Sequence, residues 1–549
     1  DINIGNDKWG FLTSASFSDY NDLRTGANRT TEFPNFGKRE FYVESEDDQD
    51  NIVSNANPNI QKGTAYNQYD FLQKILYQPS EVIRIIGNFQ YSSSSDIPRY
   101  DALTELKQDV FRFAEWKYGP QKRFFSSLRM DINKKTNFFD KIIFIAAYQR
   151  LDEDRIVRKY NSIYRRTQEE DLKVLSFTFD FHKYLDEEES FEINYGAEYN
   201  YNKLKSTAWN TDIKTLERSN VLTRYPSGGS STNNGGAYIL VKKNLKNISL
   251  FGGVRYSNSN LNVKYDIKDD LPWPMNYYQG VSSNNAALSW SLGSKINANN
   301  NWSFQGQISS AFRSPNIDDL AKIRVKTTEI SVPNLDLQPE KSINGEISVS
   351  KSIAGKTNVS ITGFVTALND AIVREQFTFL NGDNYLIDEN DTLYTIANVN
   401  AAKAKVKGLS INLQSSISKH IGLKGSVSYI RGFSTDNQLS ESPLSHIPPL
   451  YGKLYITYTD DSQSLQFGGL FNAKKPLNQY GGSEDNIENA TPQGTPSWYI
   501  LNMYYNRKLS SKLSASFGFE NILDIHYRPF ASGVSAPGRN LIVSVNYKF

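Results

Sequence analysis

Side chains suited to chemistry are few and scattered in this 549-residue chain, which has four histidines and no cysteine. The acidic stretch 44–50 resembles a calcium loop only loosely, because the EF-hand spacing is absent, and a solvated surface fits it better. The glycine-rich stretch 228–236 lacks the basic pattern of a phosphate-binding loop. No Ser-His-Asp, HExxH or G-x-S-x-G signature occurs. We therefore predict no enzyme, no metal centre and no cofactor.

The composition excludes several classes of protein. Lys and Arg (61) nearly balance Asp and Glu (59), so no basic excess indicates a nucleic-acid partner. Mean hydropathy is −0.54, and the longest apolar run, 142–148, is far shorter than the ~20 residues of a membrane helix. A transmembrane barrel has a similar composition, because one side of every strand faces a polar lumen.

Apolar and polar residues alternate with the period of a β-strand along the whole chain. The segment 191–201 alternates aromatic and aliphatic residues with Glu192, Asn194 and Glu198. About ten such residues also suffice to cross a hydrocarbon layer at a tilt. The last eleven residues place five apolar side chains on one face: Leu541, Val543, Val545, Tyr547 and Phe549.

The connections between these segments alternate between short and long. The short turns lie near 79–81, 134–138, 184–188, 245–246, 299–300, 354–355, 419–420, 460–462 and 510–511. The long polar stretches lie near 20–66, 94–120, 151–170, 204–235, 260–283, 314–340, 371–400, 434–448, 474–495 and 526–538. A soluble sandwich has no reason to place every long loop at one end, whereas an outer-membrane barrel has short periplasmic turns and long extracellular loops.

We therefore predict an all-β fold, a transmembrane antiparallel β-barrel in which about 20 complete strands are readable. Residues 1–5 are interpreted as the tail of a preceding strand, and restoring that strand and its partner gives 22. A barrel of that size has a wide lumen and is normally plugged. The strand that ends at Phe549 is expected to pair with the first strand, because an open edge in lipid leaves backbone groups unsatisfied.

Several short motifs, taken in order, resemble those of one protein family. Their residues are Phe312, Arg313, Pro315 and Asn316, then Pro333, Asn334, Pro339 and Glu340, then the stretches 398–408 and 520–524, then Pro537, Gly538 and Arg539, and the terminal Phe549. In order and spacing they are similar to the motifs of TonB-dependent outer-membrane receptors. The resemblance covers residues 1–549 as barrel and implies that an amino-terminal plug and the first hairpin are missing from this chain.

The resemblance also implies partners and a location. The chain is expected in the lipid bilayer of the outer membrane, inserted by the BAM machinery through its carboxy-terminal strand. Energy would come from the TonB–ExbB–ExbD complex through the missing plug, and a surface lipoprotein is a further possible partner. Nucleic acid is not expected.

The family implies uptake of a scarce large solute, and an iron chelate (siderophore) or haem is the preferred cargo. The alternatives are a barrel that anchors surface partners, as an adhesin or assembly component, and a passive porin. The candidate ligand contacts in extracellular loops are Arg313, Asn316, Asn334, His446 and His526. The motif residues have a second interpretation, in which they only fix loop geometry.

Overall fold

The computed structural model describes residues 1–266, 275–326, 328–378, 382–388, 391–400, 403–435, 440–482 and 485–549. Its main sheet is an up-and-down meander in which each long strand pairs antiparallel with the next one along the chain. The strands are Ile2–Gly5, Trp9–Tyr20, Tyr66–Tyr77, Ile83–Ser94, Lys122–Asn133, Lys141–Lys159, Tyr164–Tyr184, Phe191–Asp212, Ser230–Asn244, Ile248–Val263, Val281–Ala298, Trp302–Arg313, Glu340–Ile353, Thr357–Asn369, Lys403–Ser416, Ile421–Thr435, Tyr451–Thr459, Gln463–Asn472, Trp498–Lys508, Leu513–Glu520 and Asn540–Tyr547. The predicted alternation of strands is confirmed, and residues 2–5 form the expected tail of a preceding strand.

The two faces of this sheet differ in chemistry. One face exposes large apolar side chains, such as Ile347 (68% exposed) and Leu409 (47%). The opposite face carries ion pairs, among them Asp131, which is fully buried and binds both Arg84 and Arg129. Apolar residues outside and charges inside are the reverse of a soluble protein and the pattern of a barrel with a polar lumen.

The connections at one end of the sheet are short, as predicted. In the turn 460–462, the Asp460 carboxylate accepts hydrogen bonds from the backbone N–H of Ser462 (2.8 Å) and Gln463 (3.0 Å). Asp186 similarly accepts from the N–H of Ser190 at 2.7 Å. These carboxylates satisfy turn donors that the ladder leaves unpaired, so tight turns form without glycine.

The predicted long loop at 151–170 is wrong. The strands Lys141–Lys159 and Tyr164–Tyr184 pair without interruption up to Arg158 opposite Arg165, which leaves a turn at 160–163. This stretch has no glycine or proline to break the ladder. Its charges pair across the strands instead, as in the Arg155–Glu170 contact at 3.3 Å. The hairpin therefore continues as a charged ribbon beyond the membrane.

Other long connections fold rather than remaining open loops. Their elements are Leu23–Arg24, Phe41–Glu46, Gln49–Ser54, Ile60–Gln61, Ile97–Pro98, Tyr100–Leu103 (helix), Leu106–Lys107, Val110–Phe111, Phe113–Tyr118, Arg218–Asn220, Met275–Gln279 (helix), Ile317–Leu320 (helix), Arg324–Lys326, Glu329–Ser331, Ile372–Gln376, Tyr385–Asp388, Asp391–Asn400 and Glu441–Pro443, with 3₁₀ turns at Asn299–Asn301, Leu477–Gln479 and Ile487–Asn489. Three of these connections share a hydrophobic core that includes Tyr265, Leu320 and Leu393. Among the described residues, no helix has the length and apolarity needed to span a bilayer.

The first and last loops meet on the extracellular side, which shows that the sheet curls round. Isolated bridges join Thr25 to Pro537 and Asn28 to Ile525. Within the described residues, Asn540–Tyr547 pairs only with Leu513–Glu520, and Ile2–Gly5 pairs only with Trp9–Tyr20. The predicted pairing of the last strand with the first is therefore absent there, and loops make the contact instead.

Candidate ligand-binding cavity

The charged residues that line a cavity on the inner face of the extracellular part of the wall are mainly cations. The strands Lys141–Lys159, Tyr164–Tyr184 and Phe191–Asp212 and several folded loops contribute to its lining. The basic residues that line it are Arg99, Arg112, Arg155, Lys159, Arg166, Arg224 and Arg324, and the acidic ones are Asp101, Glu105 and Glu488. Seven lining side chains are basic and three are acidic. Glu153, Glu170 and Asp318, just outside the lining, also contact Arg155 or Arg224. Such a concave, low-dielectric surface concentrates anions.

Aromatic rings hold two of these guanidinium groups in place. Arg99 lies 4.7 Å from the centre of the Trp116 ring, and Arg112 lies 4.9 Å from that of Phe113. Each is also paired with one carboxylate at 2.8 Å. Stacking on a ring and pairing with a carboxylate together fix the orientation of each guanidinium.

The floor beneath this cavity contains a buried carboxylate. Glu170 is 8% exposed and contacts Arg155 at 3.3 Å and the Ser206 hydroxyl at 3.4 Å. Burial raises the pKa of Glu170 to about 7, although Arg155 and Arg224 oppose that shift. The carboxyl group of Glu170 therefore changes its charge near neutral pH, and the charge next to the cavity changes with it.

The predicted ligand contacts Arg313 and Asn316 are engaged within the protein. Arg313 pairs with Glu340 and, at 2.7 Å, with Asp319. The Asn316 side chain accepts from the N–H groups of Asp318 (2.8 Å) and Asp319 (3.0 Å) and so caps the helix Ile317–Leu320. Asn316 also borders the space next to Glu170.

The second motif joins the same loops. The Asn334 amide donates to the Asn398 carbonyl at 2.8 Å, and Pro333 is fully buried. Glu340 accepts the Ile372 N–H at 2.7 Å. These contacts support the interpretation in which the motif residues fix loop geometry, while their role as ligand contacts stays a prediction.

The two loop histidines occupy different environments. His446 is 64% exposed, with Nδ1 3.6 Å from the buried Asp485 carboxylate. His526 is buried, and its Nε2 lies 3.0 Å from the Ser535 hydroxyl. Burial, together with nearby Arg29 and Arg528, lowers the pKa of His526 to about 3, so the ring is neutral. Neither histidine lines the cation-rich cavity.

The carboxy-terminal motif lies where the first and last loops touch. The Gly538 N–H donates to the Arg24 carbonyl at 2.9 Å, and a Cβ at Gly538 would lie 2.8 Å from the Gly26 nitrogen. Arg539 donates its backbone N–H to Asp524 at 2.8 Å. Phe549 is fully exposed beyond the end of its strand.

Sequence patterns did not predict the cation-rich cavity. Its residues range from Arg99 to Asn489, in no linear motif, and the long loops bring them together. The abundance of arginine within 94–120 and 151–170 was the available signal. Within the described part of the chain, no three His, Cys, Asp or Glu side chains are arranged to hold a metal ion.

Comparison with solved structures identifies the architecture. The copper transporter OprC superposes with a TM-score of 0.73 at 14% identity, over 99% of this chain and 79% of its own. The FrpB iron transporter from Neisseria meningitidis (F3-3 variant) gives 0.71 at 15% identity, over 100% and 78%. A double mutant of the Serratia marcescens hemophore receptor HasR, in complex with its hemophore HasA and heme, gives 0.68 at 13% identity, over 100% and 77%.

A search of curated proteins returned no match to this sequence. The family model described as TonB dependent receptor-like, beta-barrel matches residues 4–522. That match covers nearly the whole chain and agrees with the meander, the inverted faces and the one-sided loops. The chain belongs to the TonB-dependent receptor family and forms its outer-membrane β-barrel.

Proposed function

We propose that this receptor takes up a large anionic solute, an iron chelate or haem, across the outer membrane. The cation-rich cavity carries the proposal, because its predominantly basic lining faces the extracellular loops and suits carboxylate or catecholate oxygens. Proteins of similar structure include an iron transporter, a copper transporter, a siderophore receptor and a hemophore receptor, which supports a cargo of this class.

In this proposal residues 1–549 are the barrel domain, and a plug domain fills the lumen. Binding of cargo in the cavity would change the conformation of the plug, which contacts TonB–ExbB–ExbD. A wide barrel without a plug would conduct ions freely, so gating requires a domain that fills the lumen of the barrel. The receptor acts by binding and transport rather than by catalysis, in keeping with its family.

Two further partners belong to the proposal. The BAM machinery would recognise the carboxy-terminal strand, whose exposed aromatic end, Phe549, is accessible. A surface lipoprotein would dock on the folded extracellular loops. Removal of residues 547–549 should lower the amount of heat-modifiable receptor in the outer membrane.

Cargo binding by the full receptor tests the proposal. Arg112→Gln and Arg166→Gln should each weaken binding of an anionic ferric chelate about tenfold, because each removes a cation from a partly desolvated site. The matched control is Arg218→Gln, since Arg218 is exposed and lies outside the cavity. Fluorescence quenching titrations at low and high salt would measure the affinity of each variant for the chelate and its dependence on salt.

Equal binding of anionic and neutral chelates would contradict the proposed cargo class. Large conductance of the full receptor that no chelate alters would instead favour a passive porin. Normal surface-partner attachment with no TonB-dependent uptake would favour an anchoring barrel.

A further inference from the structure

The outer, lipid-facing wall carries an apolar groove of about 1150 Å³. Its floor lacks side chains at Gly306, Gly345 and Gly363. In the ladder, Gly345 lies between Ile308 and Val365, and Gly363 lies between Ile347 and Leu409, so glycines alternate with large residues. A Cβ at Gly306 or Gly345 would meet no atom within 4 Å. The depression is therefore open space on the membrane side, not a packing defect.

Cations lie directly above this groove on the same face. Lys407 and Arg431, opposite each other in the ladder, bound its upper end. Lys405 and Lys403 follow at two-residue intervals, and Lys341 lies two strands away from Lys403 in the same row. Strand geometry spaces the three lysines of one strand over roughly 13 Å.

This position corresponds to the upper boundary of the hydrocarbon layer. The strand Lys403–Ser416 begins beside the long loops and ends at the short turn 417–420. About ten tilted residues cross the hydrocarbon, so counting up from Ser416 reaches Lys407. A charge on the lipid face is nearly neutral in energy at that level, but destabilises the barrel deeper in the layer.

The lysines above the groove differ in their partners from Lys173, another outward lysine of the same wall. Among the described residues, Lys341, Lys403, Lys405 and Lys407 form no ion pair. The nearest carboxylate along the top row, Glu441, lies beyond Thr435. On the strand Tyr164–Tyr184, by contrast, Lys173 lies 3.8 Å from Asp171. Lys205 of the next strand lies opposite the same Asp171 in the ladder.

We propose that Lys341, Lys403, Lys405, Lys407 and Arg431 bind the phosphate groups of a phosphorylated lipid in the outer leaflet, whose acyl chains lie in the groove floored by Gly306, Gly345 and Gly363. Charge complementarity selects this occupant, because uncompensated cations stand at headgroup level and an apolar channel continues below them. An apolar protein segment would fill the groove without using the cations. The site is separate from the cargo cavity, which is on the inner face.

Lipid binding to the full receptor in detergent tests the proposal by native mass spectrometry. The probes are a diphosphorylated, hexaacylated glycolipid and the same lipid without phosphates, with inorganic phosphate as competitor. Wild-type receptor should prefer the phosphorylated lipid. The triple variant Lys403→Gln, Lys405→Gln, Lys407→Gln should bind it about 100-fold more weakly and lose that preference.

A second set of variants tests the groove. The double variant Gly306→Leu, Gly345→Leu should weaken the binding of both lipids, because the leucine side chains would fill the groove without clashing with the rest of the protein. The matched controls are Lys173→Gln, Lys203→Gln, Lys205→Gln on another part of the outer wall, and Gly235→Leu, where a Cβ also meets no atom. Both controls should bind lipid as wild type does.

Three results would overturn the proposal. They are equal binding of the two lipids by wild type, control variants that lose as much affinity as the test variants, and displacement of the lipid by inorganic phosphate at equal concentration. If the triple lysine variant fails to assemble, the glycine pair decides: lipid binding that stays at the wild-type level also overturns it.

Discussion

Gln61 and Ser535, 474 residues apart, exchange two hydrogen bonds. The Gln61 side chain donates to the Ser535 carbonyl at 2.9 Å and accepts the Ser535 N–H at 2.9 Å. Both residues are fully buried. One glutamine amide thus substitutes for a strand partner and ties the first extracellular loop to the last.

Replacing Gln61 by alanine should therefore destabilise the extracellular closure. The change leaves a buried donor and a buried acceptor of Ser535 without partners, at about 1–3 kcal/mol each. Thermal unfolding of purified receptor, followed by heat-modifiable migration, would measure the loss. Gln49→Ala, at an exposed glutamine of the same loop, should leave the transition unchanged. Equal effects of the two substitutions would contradict the role of Gln61.

The ion pair of Asp50 and Arg158 should behave as a buried one. Their side chains are 1% and 3% exposed, with Oδ1 and Nη2 2.5 Å apart, and they join the hairpin 41–54 to the charged ribbon. Asp50→Ala should reduce the free energy of unfolding by roughly 3–5 kcal/mol, because a buried guanidinium loses its partner. Glu46→Ala, at an exposed site in the same hairpin, is the control. Chemical denaturation would measure the free energy of unfolding of both variants.

The same pair predicts acid sensitivity. Desolvation raises the pKa of Asp50, but hydrogen bonds from Arg158, Ser45 and the Asn161 N–H outweigh it, so the folded-state pKa lies below the usual value. The unfolded chain then takes up its proton first as pH falls. The contribution is complete above the unfolded pKa of about 3.9 and is lost below it. Wild-type receptor should lose stability in that range more steeply than Asp50→Ala.

Glu170 predicts the opposite slope near neutral pH. Its folded-state pKa of about 7 exceeds the unfolded value, so the folded protein keeps a proton that the unfolded chain releases. The free energy of unfolding should fall as pH rises from about 4.5 to 7. Glu170→Gln, which is always neutral, should gain about 3 kcal/mol over wild type across that range.

Unfolding curves at several pH values would measure this gain. Glu169→Gln is the control, because Glu169 lies on the opposite face of the same strand. A gain that does not depend on pH would show that charge on Glu170 is not what destabilises the fold.

Ala197 tests which face of the wall meets lipid. It is exposed near the middle of its strand, between Phe179 and Ala237 in the ladder. Ala197→Arg should destabilise the barrel by roughly 2–4 kcal/mol, because a guanidinium would enter the hydrocarbon layer. Ala197→Leu, of similar bulk increase but apolar, should have little effect. Reversible folding into lipid vesicles would compare them, and a tolerated arginine would contradict the orientation.

Local alternation was sufficient to predict the wall of this protein. A one-residue slip would exchange the apolar and polar faces, so the register of a strand such as Phe191–Asp212 is encoded in its own side chains. The short turns and the one-sided distribution of loops are equally local. The family motifs around Arg313 and Gly538 could be recognised because each is a continuous stretch of sequence.

The extracellular layer depended on tertiary structure. Polar composition at 151–170 predicted a loop, but the uninterrupted backbone ladder between its two strands makes it a ribbon. The cation-rich cavity and the Gln61–Ser535 contact join residues that lie hundreds of positions apart. The periodicity of a local sequence does not predict such contacts. The lipid groove likewise exists only because separate strands place Gly345 and Gly363 beside Lys407. The alternation of side chains determines which face of the sheet a residue occupies, whereas the pairing of separate strands and loops decides which residues become neighbours on that face.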